Sequence, residues 1–243
     1  MEFNLIYKPF GERAILVEWS SRIDTSILKD IIRFKNAIKK KNIKSIVELK
    51  HAYNSLLIVY NGVCRNFENE VNRLKNIYKK TISKSAMSSN LWKIPVSYDA
   101  VFGIDLEAIC LEKRISKNEL IKRHSQAIYT VYFIGFLPGF LYLGGLDEVL
   151  HIARKSTPRL KIEKGAVAIG GHQTGVYPTE SPGGWNIIGN SPIEFFNPKS
   201  NPPCFAEAGD KISFYPISLK EYRDIKTLSE AGVYQLESEV MND

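Results

Sequence analysis

The chain has 243 residues, 44% of them hydrophobic and 24% charged, with a formal net charge of +7; this ordinary globular composition allows one large domain or two small ones. No apolar run reaches the ~18 residues a membrane-spanning helix requires, and the basic residues are not interleaved with aromatics as nucleic-acid binding would require. Lys39–Lys41 and Lys79–Lys80 fall instead at the ends of expected helices, where cations suit the helix dipole, so the positive charge reads as a solvated surface.

In chain order, Ala14–Trp19 reads as a strand. Asp24 or Thr25 caps a helix whose apolar stripe is Ile27, Ile31, Phe34 and Ile38. Two strands follow, Ser45–Leu49 and Leu56–Tyr60, joined by a turn at His51–Asn54, and a second helix carries Phe67, Val71, Leu74 and Tyr78 on one face. The order β-α-β-β-α predicts a small α+β domain, a two-layer sheet with two helices. Thr81–Asn90, rich in Ser, is the linker candidate, which sets the expected domains at 1–88 and 89–243.

Trp92–Tyr98 reads as a strand in which Pro95 marks an edge or entry position. Leu106, Ile109 and Cys110 indicate a short helix, and Ser116 with Glu119 forms a capping box opening another that runs to His124. Ile128–Phe136 alternates as a strand. Beyond it the chain is glycine-rich with short strands, Phe140–Leu143, Val167–Ile169, Asn186–Ile188, Ile193–Phe196 and Lys211–Tyr215, the pattern of a sandwich or closed barrel. A helix is expected within Leu219–Gln235, followed by a frayed acidic tail, Glu237–Asp243.

The stretch from Gly165 to Gly189 organises the rest. Its glycines, with Gln173, Thr174, Tyr177, Gly183, Gly184 and Trp185, predict a glycine-lined shelf bearing an amide, hydroxyls and two large aromatics at the rim of one hollow. His124 reads either as a cation at a helix C-terminus or as a site residue. His172 reads as solvent-facing. Arg159 reads either as a bidentate carboxylate clamp or as a surface ion-pair donor. Phe136, Phe140 and Tyr142 flank the Pro138–Gly139 break and pack in the core or leave an apolar patch for a partner; Pro138 can be cis or trans. There is no phosphate loop, nucleophile elbow or His-Glu-x-x-His motif. The three cysteines, Cys64, Cys110 and Cys204, lie far apart, and the four histidines are scattered, so no metal site is expected. The odd cysteine count and the lack of a signal-peptide pattern at Met1–Asn4 make the cytoplasm the expected location.

Tyr132-Phe-Ile-Gly-Phe-Leu-Pro-Gly-Phe-Leu-Tyr-Leu143, Thr157-Pro-Arg159, Gly170-Gly-His-Gln-Thr-Gly-Val-Tyr-Pro178 and Ser181-Pro-Gly-Gly-Trp-Asn-Ile-Ile-Gly189 resemble the family of bacterial 5-oxoprolinase B subunits, also called KipI-like or allophanate hydrolase subunit 1-like. His124-Ser125 and Gly209-Asp210 fit the same pattern. Leu141, Glu163-Lys164, Asp99-Ala100 and Ile104 depart from it. The resemblance implies an α+β domain followed by an all-β cyclophilin-like barrel. It implies one component, inactive alone, of an ATP-dependent enzyme that opens 5-oxo-L-proline to L-glutamate with partner A and C subunits, with ATP bound here or by a partner. The alternative it carries is an inhibitor of a sensor histidine kinase. Under the enzyme reading His124, Arg159, Gln173 and Thr174 are the catalytic candidates, and Phe136, Pro138, Gly139, Phe140, Tyr177, Gly183, Gly184 and Trp185 line a substrate or partner surface.

Overall fold

In the computed structural model, residues 3–81 and 88–242 are described, and the chain divides into two compact units, Met1–Met87 and Ser88–Asp243. The first contains β1 (Ile6–Phe10), β2 (Ala14–Glu18), α1 (Thr25–Lys40), β3 (Ile46–His51), β4 (Ser55–Tyr60) and α2 (Phe67–Lys79). Its sheet has the order β1-β2-β4-β3, antiparallel throughout. Ile15 and Val17 lie opposite Ile58 and Leu56 and pack with the apolar stripes of α1 and α2. Strand β1 escapes sequence reading because it is mostly exposed and holds Pro9, leaving no buried alternation; pairing with β2 alone makes it a strand. The buried carboxylate of Asp30 accepts from Trp19 Nε1 at 2.9 Å and from the Tyr78 hydroxyl at 2.7 Å, tying the end of β2 and both helices together.

The second unit contains β5 (Ser88–Val96), α3 (Leu106–Lys113), α4 (Lys117–Gln126), β6 (Ile128–Ile134), β7 (Leu141–Gly144), β8 (Arg159–Ile162), β9 (Ala166–Gly170), β10 (Gln173–Val176), β11 (Ser181–Gly183), β12 (Asn186–Asn190), β13 (Lys211–Pro216), α5 (Leu219–Glu230) and β14 (Ser238–Asn242). Eight strands form one sheet in the order β12-β9-β10-β7-β6-β13-β5-β14, and β8 pairs with β11 separately. Ser97, just past β5, exchanges backbone hydrogen bonds of 2.9 and 3.0 Å with Asn190 at the end of β12, so the sheet returns on itself. Inside lie Val96, Tyr129, Val131, Leu141, Leu143, Val167, Ile169, Val176, Ile188 and Phe214, with Leu106, Ile109 and Leu120 of α3 and α4 in the same core.

Several expectations need correction. The unit is mixed rather than all-β, since α3, α4 and α5 belong to it. Ile193–Phe196 is not a strand; Ile193 and Phe195 are buried individually from an irregular segment, which mimics a strand's apolar run. The acidic tail is not frayed, because Ser238–Asn242 pairs with Ser88–Trp92. That pairing also removes Ser88–Asn90 from the linker, whose residues 82–87 lie outside the described residues. The last helix stops at Glu230, before Gly232 at φ +73°. Ser116 caps α4 as expected, yet Glu119 turns to Arg123 instead of completing the box; the reciprocal box is at Ser218 and Glu221. The only cis peptide among the described residues is Asn201–Pro202, so the Leu137–Pro138 bond is trans. Pro95 does sit where its missing N–H is not needed. The N–H groups of Lys93 and Ser97 point to Glu237 and Asn190, and Pro95 falls in the gap between these two partners.

Candidate functional site

The glycines of β9 and β10 shape the outer face of the eight-stranded sheet. Val167, Ile169, Thr174 and Val176 point inward, so Ala166, Ala168, Gly170, Gln173 and Gly175 face outward by the strand period of two. Trp185 lies against this face. A Cβ on Gly170 would come within 2.6 Å of the indole, and one on Gly175 within 3.2 Å. Only residues without a side chain let the ring approach the backbone this closely. Phe140, Tyr142 and Tyr177 complete the cluster, with Phe140 5.5 Å from Trp185 and 5.3 Å from Tyr177, near edge-on in both cases. The expected hollow between Gln173 and Trp185 is therefore filled by the indole itself, and the site is a face built around that ring.

Gln173 stands opposite Gly170, on the strand face against which the indole lies. It is 9% exposed, and its Nε2 is buried with no hydrogen-bond partner. An unmade bond of this kind costs about 1–3 kcal/mol. The Arg154 guanidinium lies 5.5 Å from the Trp185 ring centroid, a cation–π distance. Arg154 is exposed, and no carboxylate pairs with it among the described residues. Its segment is anchored on both sides, by Asn186 Nδ2 donating to the Ala153 carbonyl at 2.9 Å and by Lys155 N–H donating to the Gly184 carbonyl at 2.7 Å. Burial raises the Tyr142 hydroxyl pKa, and the Arg154 charge opposes that rise. Sequence reading favours Arg159 and misses Arg154, although an Arg-Lys pair just before Thr157-Pro-Arg159 is visible in it.

Arg159 is engaged elsewhere. Its guanidinium grips the Asp105 carboxylate bidentately, at 2.9 and 2.7 Å. Lys155 Nζ approaches the same carboxylate at 2.8 Å, and the Ile187 N–H donates to it at 2.7 Å. Burial alone would raise the Asp105 pKa; Arg159, Lys155 and the Ile187 N–H together hold it below the usual carboxylate value. The clamp expected of Arg159 thus closes on the protein's own carboxylate, 54 residues away in sequence. Gly184 and Gly183 belong to the adjoining β8–β11 edge, where a Cβ on Gly183 would collide with the Tyr177 hydroxyl.

His124 and Thr174 lie in the core, both 0% exposed. The Thr174 hydroxyl donates to the Ala168 carbonyl at 3.1 Å, so it accepts from His124 Nε2–H at 2.8 Å, and Nδ1 is left to accept from the Tyr98 hydroxyl at 2.7 Å. Every bond in this chain is made with the imidazole neutral. Burial pushes the His124 pKa down to about 3. His124 is therefore not a helix-terminal cation, and it meets no solvent with which to exchange a proton. Its partner Tyr98 carries no sequence signal beyond strand alternation.

The four catalytic candidates thus fall into three places: the core for His124 and Thr174, an ion-pair hub for Arg159, and the outer face for Gln173. Of the surface candidates, Phe140, Tyr177 and Trp185 are together in the aromatic cluster. Gly139 is buried, and Pro138 is exposed on the loop above. Phe136 is 63% exposed and held at φ +67°, rare for an aromatic residue, with its ring edge-on to Phe140 at 5.6 Å.

A family model for the carboxyltransferase domain, subdomain C and D, matches residues 5–206. The 5-oxoprolinase B subunit of Bacillus subtilis (strain 168) is 32% identical over 226 residues, covering 89% of this chain and 94% of that one. The protein of the same name from Haemophilus influenzae is 39% identical over 171 residues, 70% of this chain and 79% of that one. The crystal structure of the K. lactis urea amidolyase superposes with a TM-score of 0.82 at 20% identity, over 98% of this chain and 16% of that one, a likeness of fold alone.

Proposed function

The chain belongs to the family of carboxyltransferase domains, subdomain C and D, and from this we propose that it is the B subunit of an ATP-dependent 5-oxoprolinase, opening 5-oxo-L-proline to L-glutamate with partner A and C subunits and inactive without them. The relatives that carry the name of that subunit support the reading, as does the return of the second unit's sheet on itself for a cyclophilin-like barrel. The observation that carries it is the buried, unpaired Gln173 Nε2 on the strand face where Trp185 is seated, with an uncommitted arginine over that indole. A lactam with a carboxylate matches those three groups in kind. When the indole swings aside to open this face, the Gln173 amide donates to the lactam oxygen, the displaced Trp185 borders the ring, and Arg154 pairs with the carboxylate.

The N-termini of α1, α2, α4 and α5 are closed by the side chains of Asp24, Asn66, Ser116 and Ser218, and Asp105 stands at that of α3. We therefore assign ATP to a partner. The histidine-kinase alternative has no observation of its own. The test is co-purification with candidate A and C subunits and an assay of ATP-dependent glutamate release. Arg154→Ala is expected to raise KM for 5-oxoproline about tenfold or more, and Gln173→Ala to lower kcat/KM by about 10- to 100-fold. A complex that leaves 5-oxoproline intact overturns the activity. An active complex indifferent to both substitutions overturns the site.

A further inference from the structure

Two of the four histidines meet on the surface at the turn between β9 and β10. Gly171 and Ile152 form an antiparallel bridge with backbone hydrogen bonds of 2.7 and 3.2 Å. Their neighbours His172 and His151 are therefore directly opposed across it, where Cβ atoms stand about 4.5–5.5 Å apart. The two Nδ1 atoms face each other at 3.1 Å, with ring centroids 4.6 Å apart and planes at 78°. His151 Nε2 is 3.2 Å from the Leu146 carbonyl. A carbonyl only accepts, so His151 carries its proton on Nε2 and presents a bare Nδ1 lone pair toward His172. Donation from the remote ring nitrogen to a backbone carbonyl is the usual way in which a metal-ligating histidine is oriented and its tautomer fixed. His172 is exposed and His151 half-buried, so the pair is open to solvent.

We propose that His151 and His172 form a bidentate site for a divalent transition-metal ion of tetragonal preference, Cu²⁺ or Ni²⁺, with water completing the coordination shell. With metal–nitrogen bonds of about 2.1 Å, nitrogens 3.1 Å apart subtend about 95° at the metal. That is close to the right angle of square-planar or octahedral sites and short of the tetrahedral angle zinc adopts in structural sites. No group of three or more His, Cys, Asp or Glu side chains among the described residues could hold a metal, so two protein ligands is the full complement. On binding, the His172 proton shifts from Nδ1 to Nε2 and both Nδ1 lone pairs turn to the ion. The bound ion staples the β9–β10 turn to the segment that leads into Arg154, three residues beyond His151.

The test is calorimetric titration of the full, tag-free chain with NiCl₂ and CuCl₂, together with electron paramagnetic resonance of the copper form. The expected result is one ion per chain, two-nitrogen hyperfine structure, and at least tenfold weaker binding in either His172→Ala or His151→Ala. His172 is exposed on a turn, so that variant should keep the parent melting temperature. His51→Ala should bind as the parent does, and Mg²⁺ should give no heat. Parent-like binding by His172→Ala, or tighter binding of Zn²⁺ than of Cu²⁺, overturns the proposal.

Discussion

Lowering the pH from 7 to 5 should weaken the native state through one residue, His124. In the unfolded chain its imidazole titrates at the ordinary value of 6.5, whereas burial holds it to about 3 when folded. The stability this contributes is complete above pH 6.5 and declines as pH falls toward 3, because the unfolded chain takes up a proton that the native state refuses. The slope is about 1.36 kcal/mol per pH unit for one proton, so from pH 7 to 5 the loss is about 2 kcal/mol. It should appear as a drop of roughly 1 M in the urea midpoint, followed by the fluorescence of Trp92 and Trp185. His124→Gln removes the titrating group. It lowers stability at both pH values by breaking the Tyr98 and Thr174 bonds, so the quantity to read is the difference between pH 7 and pH 5. The parent should lose about 2 kcal/mol more than the variant over that interval. Equal losses in the two proteins would mean that His124 accepts a proton in the folded state, and the neutral hydrogen-bonded chain through the core would be wrong.

Asp105→Ala should destabilise by about 3–4 kcal/mol, since it strands two cations and the Ile187 N–H at once, whereas Arg159→Ala leaves Lys155 and that N–H in place and should lose less. Thermal melts of both variants give the order, and a larger loss for Arg159→Ala would contradict the hub. Because Asp105 is held below the usual carboxylate value, its contribution should be constant above about pH 4 and fade only as pH falls below that. Gly170→Ala puts a methyl group against the Trp185 indole and should cost about 1–3 kcal/mol while shifting its fluorescence; an unchanged spectrum and melt would show the ring is not seated there. Gln173→Met removes a buried donor without a partner, so its melting temperature should equal or exceed the parent's while reconstituted glutamate release falls. A clear loss of stability would mean that the amide is already satisfied in the folded chain.

What can be read in advance follows from how local each cause is. The α1 stripe of Ile27, Ile31, Phe34 and Ile38 is buried as its spacing requires, because helix periodicity is written within a few residues. The strand at Val167–Ile169 is legible because its short apolar run is equally local. Strands β1 and β14 are not, since their sequences carry no buried alternation and exist as strands only through β2 and β5. The partner of Arg159 is equally hidden. Nothing near Thr157-Pro-Arg159 indicates that the carboxylate it grips is Asp105, so residue type alone leaves a ligand clamp and an internal ion pair undivided. The glycines mislead in a more specific way. Gly170 and Gly175 are needed for close approach, as expected, but what approaches is the chain's own tryptophan.

Gln173 and Thr174 read in sequence as two donors to one substrate, and their adjacency on β10 is what separates them. Consecutive strand residues face opposite ways. Thr174 therefore enters the core and is locked between His124 and the Ala168 carbonyl, while Gln173 is turned out to the face where Trp185 is seated. The lock has a consequence for the outer face. With the Thr174 hydroxyl held on one side and the indole seated on Gly170 and Gly175 on the other, β10 has little freedom to rotate about its axis, and the Gln173 amide is fixed in direction by a residue it never touches. His124 thus serves the site by position and without proton transfer. Its loss should shift Trp185 fluorescence even at pH 7, whereas a residue confined to proton transfer at the surface would leave that signal alone.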